Sequence, residues 1–246
     1  MTTVLGIWAH PDDEVFVSGG FMADAVRKGD RVECIHMTRG ESGLKFRHRC
    51  PPEILARLRQ RELKESLACV GVEEQRFFGY PDGYLARVPH AEAIARIHDA
   101  LVETRPDTIL TFGPDGFTGH PDHKVLSRWV SAALSYSGNP RVLLYHAVAG
   151  RKWRDSFVAA LNEFDFFWSN HPDVSPRPDV TLALDDELAA IKVEALRAHA
   201  SQMKPLFDAY GDGFMRAVAA TEHFNRIPQP GHAIRADSRG GTELAA

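Results

Sequence analysis

The sequence predicts an α/β fold, a Rossmann-like, mostly parallel sheet flanked by helices, and three observations lead there. Short apolar runs alternate with segments of helical period along the first 150 residues. The first of those runs, Thr3 to Trp8, is β-branched and apolar, as in a buried central strand. The chemically unusual loops follow strands, which is where open parallel sheets place their ligands.

Thr3 to Trp8 is β-branched and apolar and stops before a His-Pro loop, as a central strand would. Val15, Phe16, Met22, Ala23 and Val26 then recur at helical spacing up to Gly29, a C-cap glycine. Val32 to Met37 is a second strand, so the first forty residues make one βαβ unit with a right-handed crossover. The theme repeats: helix Pro52 to Val70, strand Gln75 to Phe78, helix Ala91 to Glu103, strand Thr108 to Phe112, helix Lys124 to Leu134 and strand Val142 to His146.

Beyond residue 150 the pattern is less regular. Aromatic Phe164 to Trp168, a Pro-containing loop from His171 to Pro178 and a helix over about Asp185 to Ala200 read as a smaller subregion on the same sheet. Residues 44–52 and 151–178 are read as peripheral loops able to form a lid, and 228–246 as a loose tail. With no linker in the middle, residues 1–227 are expected to form one domain, about 1–150 the core and 151–227 the C-terminal subregion.

Of the 246 residues 44% are hydrophobic and 25% charged, enough apolar material for a large core. Net charge is -4 with the signs interspersed, which leaves no footprint for a nucleic-acid backbone. Lys45, Arg47, His48, Arg49, Arg57, Arg59 and Arg61 form the one basic stretch, read as a solvated loop and helix face. The start MTTVLGIWAHPDDE lacks a basic n-region, and no segment reaches the roughly 20 apolar residues of a membrane span, so a cytoplasmic protein without a membrane partner is expected. Cys34, Cys50 and Cys69 are odd in number and widely spaced, as structural thiols are. A symmetric homo-oligomer is the base-rate expectation.

Two loops carry chemistry: Ala9-His10-Pro11-Asp12-Asp13-Glu14 after the first strand, and Gly119-His120-Pro121-Asp122-His123 after the strand ending at Phe112. A catalytic zinc site uses three His or carboxylate ligands and leaves a position for water. His10, Asp13 and His123 can supply that set, with iron or cobalt as other occupants. Asp12 stands beside the ligands as the candidate base for a metal-bound water. His120 is the candidate for stabilising the oxyanion and protonating the leaving amine, and Asp122 for orienting an imidazole, preferably that of His120. Against this, either aspartate of the first loop could simply cap a helix, and HPDH could be a polar loop. His36, His90, His98 and His146 have no partner motif and read as satisfied histidines.

The two loops identify a resemblance. AHPDDE at 9–14 and GHPDH at 119–123 are similar to the two signature motifs of the LmbE and PIG-L family of zinc-dependent N-acetylglucosaminyl deacetylases. TRGESG at 38–43, Arg59 with Glu62, GYPDG at 79–83 and HASQ at 199–202 also resemble the family, over about residues 3–203. The resemblance implies one zinc ion per chain on His10, Asp13 and His123, Asp12 as base, and His120 supporting the tetrahedral intermediate. It further implies contacts of Arg59 and Asp82 with the sugar or its substituent; His199 and Gln202 are read as structural. Thr118 departs from relatives that carry a larger hydrogen-bonding residue there.

The expected activity is hydrolysis of the acetamide of an N-acetyl amino-sugar conjugate to amine and acetate. Two alternatives stay open at this point: an amidase for another acyl or thiol-conjugate amide, and a non-catalytic Rossmann-like binder of a sugar or nucleotide. HPDDE in place of GxGxxG speaks against a dinucleotide.

Overall fold

The structure is a computed structural model, and it describes residues 1–43, 50–168, 174–175 and 177–228. In chain order the elements are β1 Thr3–Trp8, α1 Asp13–Arg27, β2 Arg31–His36, α2 Pro52–Cys69, β3 Glu74–Phe77, α3 His90–Thr104, β4 Thr108–Phe112, α4 Pro121–Ser137 and β5 Leu143–Ala147. They continue with β6 Ala149–Gly150, α5 Arg151–Asn162, β7 Val174–Ser175, β8 Val180–Ala183, α6 Asp186–Ala198, α7 Ala200–Ala219 and β9 Thr221–Ile227.

Seven described strands form one sheet in the order β3-β2-β1-β4-β5-β9-β8, and β6 pairs with β7 apart from it. The five strands from β3 to β5 are parallel, while β9 runs antiparallel to both β5 and β8. The expected mostly parallel sheet is present. Central strands β1 and β4 carry the apolar runs and are buried almost throughout, as strands covered on both faces must be.

From β1 the chain moves through α1 and α2 towards β3, then crosses back through α3 to β4 and onward through α4 to β5. Right-handed crossovers in opposite directions put α1 and α2 on one face and α3 and α4 on the other. Helix α6 packs on α1, α2 and α7, and α3 packs on α4. The strand order reverses between β1 and β4, and a crevice opens at such a switch point beyond the carboxyl ends of the strands. Both His-Pro-Asp loops leave the sheet there.

The C-terminal region is more regular than its composition predicts. Residues 151–162, read above as part of a peripheral loop, are helix α5, held by Trp153 Nε1 donating to the Val218 carbonyl at 2.9 Å. It is polar overall, and only Trp153, Val158 and Leu161 on it are buried. The expected helix at 185–200 is α6, capped by Asp185 Oδ1 accepting from the Leu188 amide. A second helix, α7, follows directly; Pro205 and a kink at Gly211, with φ of 71°, obscure it in the sequence. Strand β9 closes the sheet. Expectations about residues 44–49, 169–173 and the tail from 229 onward lie outside the described residues. Among the described residues no helix is long and apolar enough to cross a membrane, and all three cysteines are free.

One buried ion pair fastens the C-terminal region to the core. Lys192 Nζ on α6 lies 2.7 Å from Glu222 Oε1 on β9, and both residues are 2% exposed. Glu222 also accepts from the amides of Gly20 and Phe21 on α1. Removing one member of a buried pair strands the other charge and typically costs about 3–5 kcal/mol. Glu222→Ala is expected to lower the unfolding free energy by about that amount, read as a lower urea midpoint at unchanged slope, with Lys192→Met costing less; equal losses under about 1 kcal/mol, on the order of a surface pair, would contradict this reading.

Candidate metal centre

Each candidate ligand is held from behind. His10 leaves β1, and its Nε2 lies 2.9 Å from Asp82 Oδ1 and 3.4 Å from Asp122 Oδ2. His123, in the first turns of α4, has Nδ1 at 3.0 Å from the Gly116 carbonyl and 3.2 Å from Thr118 Oγ1. Its ring stacks on Phe112 at 4.0 Å and 4°. A nitrogen facing a carboxylate or carbonyl carries the ring proton, so in the neutral imidazoles His10 Nδ1 and His123 Nε2 are bare lone pairs. These two atoms point at each other across 3.2 Å.

Asp13 completes the set. Its Oδ1 lies 3.3 Å from His123 Nε2 and its Oδ2 3.4 Å from His10 Nδ1, while Oδ2 also accepts from the His10 amide. Two imidazole nitrogens and a carboxylate aimed at one small volume call for a positive charge among them, which a proton on His10 or a metal ion supplies. A tetrahedral ion with bonds of about 2.0–2.1 Å keeps its ligands about 3.3 Å apart, the spacing of the two imidazole nitrogens, while Asp13 meets each ring with a different oxygen, so the residue types and the spacing of the imidazoles suit a divalent metal. The electrostatics agree. Burial pushes the His10 imidazole down, yet Asp82, Asp122 and Asp13 raise its pKa well above the usual value. Burial pushes Asp13 up, but His123 and His10 hold it well below the ordinary carboxylate range.

Asp12 occupies the N-cap position of α1, but its side chain makes no capping hydrogen bond. Its carboxylate turns instead to Arg59, with Oδ2 at 3.0 Å from Nη2, and both residues line the cavity. Burial raises its pKa, Arg59 opposes the rise and Asp13 adds to it. The capping alternative therefore fails for Asp12.

His120 caps α4 through its own ring, Nδ1 accepting from the Asp122 amide at 3.1 Å. Its proton in the neutral form is then on Nε2. Burial, with His10 and His123 nearby, lowers its pKa to about 3. A nitrogen of His120 lies within 4.8 Å of the donor atoms of His10 and His123. The Asp122 carboxylate does not follow the sequence expectation: it accepts from the amides of Gly83 and Leu85 and faces His10 rather than His120.

The two residues singled out for sugar contact are deeply built in. Asp82 is 5% exposed, with one oxygen on His10 and the other accepting from the Ser42 amide. Arg59 is 4% exposed; Nη1 donates to the Gly40 carbonyl and Nη2 to Pro11 and Asp12. Gly40, at φ 72°, is a glycine because any Cβ would run into the Arg59 guanidinium. Among the other histidines, His90 Nδ1 accepts from Trp129 Nε1. His146 differs from expectation, being buried with Nε2 unpartnered among the described residues and its pKa pushed down by burial to about 4.

The site opens into a cavity of about 690 Å³. One wall is polar, with Glu41, Ser42, Arg59 and Gln202; the other is aromatic, with Phe16, Phe117, Phe164, Phe166 and Trp168. Trp168 is 54% exposed, its amide donating to the Thr118 carbonyl and its ring edge-on to His120 at 4.4 Å. Only the run of aromatics at 164–168 signalled this wall in the sequence.

The family model described as "PIG-L: GlcNAc-PI de-N-acetylase" matches residues 5–134. A 1D-myo-inositol 2-acetamido-2-deoxy-alpha-D-glucopyranoside deacetylase of Corynebacterium glutamicum is 30% identical over 221 residues, 81% of this chain and 74% of that protein. One from Mycobacterium sp. (strain JLS) is 31% identical over 282 aligned positions, 98% of this chain and 90% of that protein. Among solved structures, N,N'-diacetylchitobiose deacetylase from Pyrococcus horikoshii superposes with a TM-score of 0.70 at 21% identity, covering 96% of this chain and 88% of that one. The hydratase GalB of Pseudomonas putida gives 0.64 at 14% identity with full coverage of both chains, so likeness of fold alone does not select a reaction.

Placing a methyl at Gly40 tests the Arg59 arrangement. Gly40→Ala is expected to displace the guanidinium from Asp12 and lower kcat by about 10²-fold, the scale of a 1 Å misplacement, with bound metal unchanged. Unchanged kcat on the acetylated substrate, or loss of metal, would count against it.

Proposed function

The chain belongs to the PIG-L family of GlcNAc-PI de-N-acetylases, and from that premise we propose that it removes the N-acetyl group from an N-acetylglucosamine-type sugar conjugate, with zinc as its metal. The observation that carries this reading is the pair of back-tethered imidazoles and Asp13 converging on one volume, with Asp12 and His120 beside it. His10, Asp13 and His123 would hold the ion, and a His2Asp set suits zinc. When bound, a divalent cation polarises the amide carbonyl and makes water acidic enough to attack near neutral pH.

The protein residues do the rest. Arg59 fixes one oxygen of Asp12, which leaves Oδ1 to take the proton of the attacking water. As the carbonyl carbon becomes tetrahedral, its oxygen gains negative charge, and the Nε2 proton of His120 stabilises it. A neutral imidazole tethered through Nδ1 is a poor proton source, since giving up its proton leaves an imidazolate. Asp12 therefore returns the proton it took to the amide nitrogen as the C–N bond breaks, and amine and acetate leave. Asp82, in this reading, serves the sugar only indirectly, by keeping His10 oriented. Asp122 does the same for His10 and joins the GYPDG turn to α4.

A second reading keeps this machinery and enlarges the amide. An N-acetylated monosaccharide occupies only a fraction of a cavity of about 690 Å³, and Phe117, Phe166 and Trp168 offer an apolar surface that acetate does not need. A bulky conjugate or a longer acyl group fits that wall.

Both readings are tested on a panel of acylated glucosaminides, with amine and released acid measured separately. Acetate is the expected product, and Asp12→Asn and His120→Ala should each lower kcat by about 10²–10⁴-fold with the fold intact. Release of longer acids alone favours the second reading. Wild-type rates in both variants would overturn the proposed roles.

A further inference from the structure

Resting on the assignment of Asp12 as base, we propose that Glu14 is a positioning residue for it, holding the Asp12 backbone from inside the molecule in the one turn that aims its carboxylate into the cavity. The mechanism above uses every ionisable group of the two loops except this one.

Asp12 has φ of 103° and ψ of -27°. For a residue with a side chain this lies beyond the ordinary left-handed region and typically costs about 1–3 kcal/mol, which the surroundings must offset. Three contacts do so. The Asp12 carbonyl accepts from the Phe16 amide at 3.0 Å as α1 begins, and Arg59 holds the carboxylate. The Asp12 amide donates to Glu14 Oε2 at 3.0 Å, so the glutamate bends back to bond a group two residues earlier.

Glu14 is 0% exposed, and its carboxylate is immobilised by two imidazoles that are also 0% exposed. His36 Nε2 on β2 lies 2.9 Å from Oε2, and His199 Nε2, at the junction of α6 and α7, lies 3.2 Å from Oε1. Among the described residues the Nδ1 atoms of both rings have no partner, so each ring's one polar contact there is with Glu14. Strand β2, the α6–α7 junction and α1 thereby meet on the group that fixes the amide of Asp12.

A double-mutant cycle separates positioning from general support of the fold. Steady-state kcat and KM on the acetylated substrate, bound metal per chain and the melting temperature are measured for wild type, Glu14→Ala, Asp12→Asn and the double variant. Expected are a fall in kcat of about 10²-fold for Glu14→Ala with KM within about twofold, unchanged metal, and less than about a twofold further loss when the change is added to Asp12→Asn. Glu14→Gln, which keeps an acceptor for the Asp12 amide, should recover most of the rate. If Glu14→Ala does not fold, Glu14→Asp, whose shorter carboxylate keeps the charge but withdraws from that amide, carries the same cycle. Losses that multiply in the double variant, or a loss that travels with metal content, overturn the proposal while leaving the base assignment intact. A fully active Asp12→Asn overturns the base assignment and this inference with it.

Discussion

Two imidazole nitrogens facing each other across 3.2 Å form the constraint on which the rest of this structure depends. Neither ring can turn away, because Asp82 and Asp122 hold the back of His10 and the Gly116 carbonyl holds the back of His123. The two rings come from positions 113 residues apart, and only the reversal of strand order between β1 and β4 brings them together. The sheet thus serves the site directly: its buried central strands set the distance between two loops that would otherwise be independent.

Around that centre charge is buried at a density a mere scaffold would avoid. Glu14, Arg59, Asp82 and Asp122 are each no more than 5% exposed, and each has at least one polar partner from another part of the chain. Asp12 sits in a strained backbone conformation between them. Such an arrangement costs stability and returns a carboxylate at Asp12 whose orientation is set by the protein itself. The cavity beside it is lined by polar side chains, among them Glu41, Ser42 and Gln202, and by aromatic ones, among them Phe117, Phe166 and Trp168.

Much of this was legible in the sequence. The apolar runs of β1, β2, β4 and β5 and the two His-Pro-Asp loops are local signals, read from period and residue type alone. What was hidden depends on contacts across the chain. Helix α5 is polar apart from a few buried residues, Trp153, Val158 and Leu161, α7 is interrupted by Pro205 and Gly211, and β9 mixes polar and apolar residues. Asp122 was expected to orient an imidazole, preferably that of His120; its carboxylate accepts from the amides of Gly83 and Leu85 and faces His10. His199 reads as a structural helix residue until Glu14, 185 positions away, is seen beneath it.

The central claim, that these loops converge to hold a divalent ion, is tested most directly by metal analysis of the purified protein joined to X-ray absorption at the metal edge. About one ion per chain, ligated by two imidazole nitrogens and carboxylate oxygen at about 2.0–2.2 Å, is the predicted result, with the imidazole signal halved or the ion lost in His123→Ala. A protein that hydrolyses its amide with no ion recoverable on reconstitution, or whose ion shows no imidazole, would contradict the account.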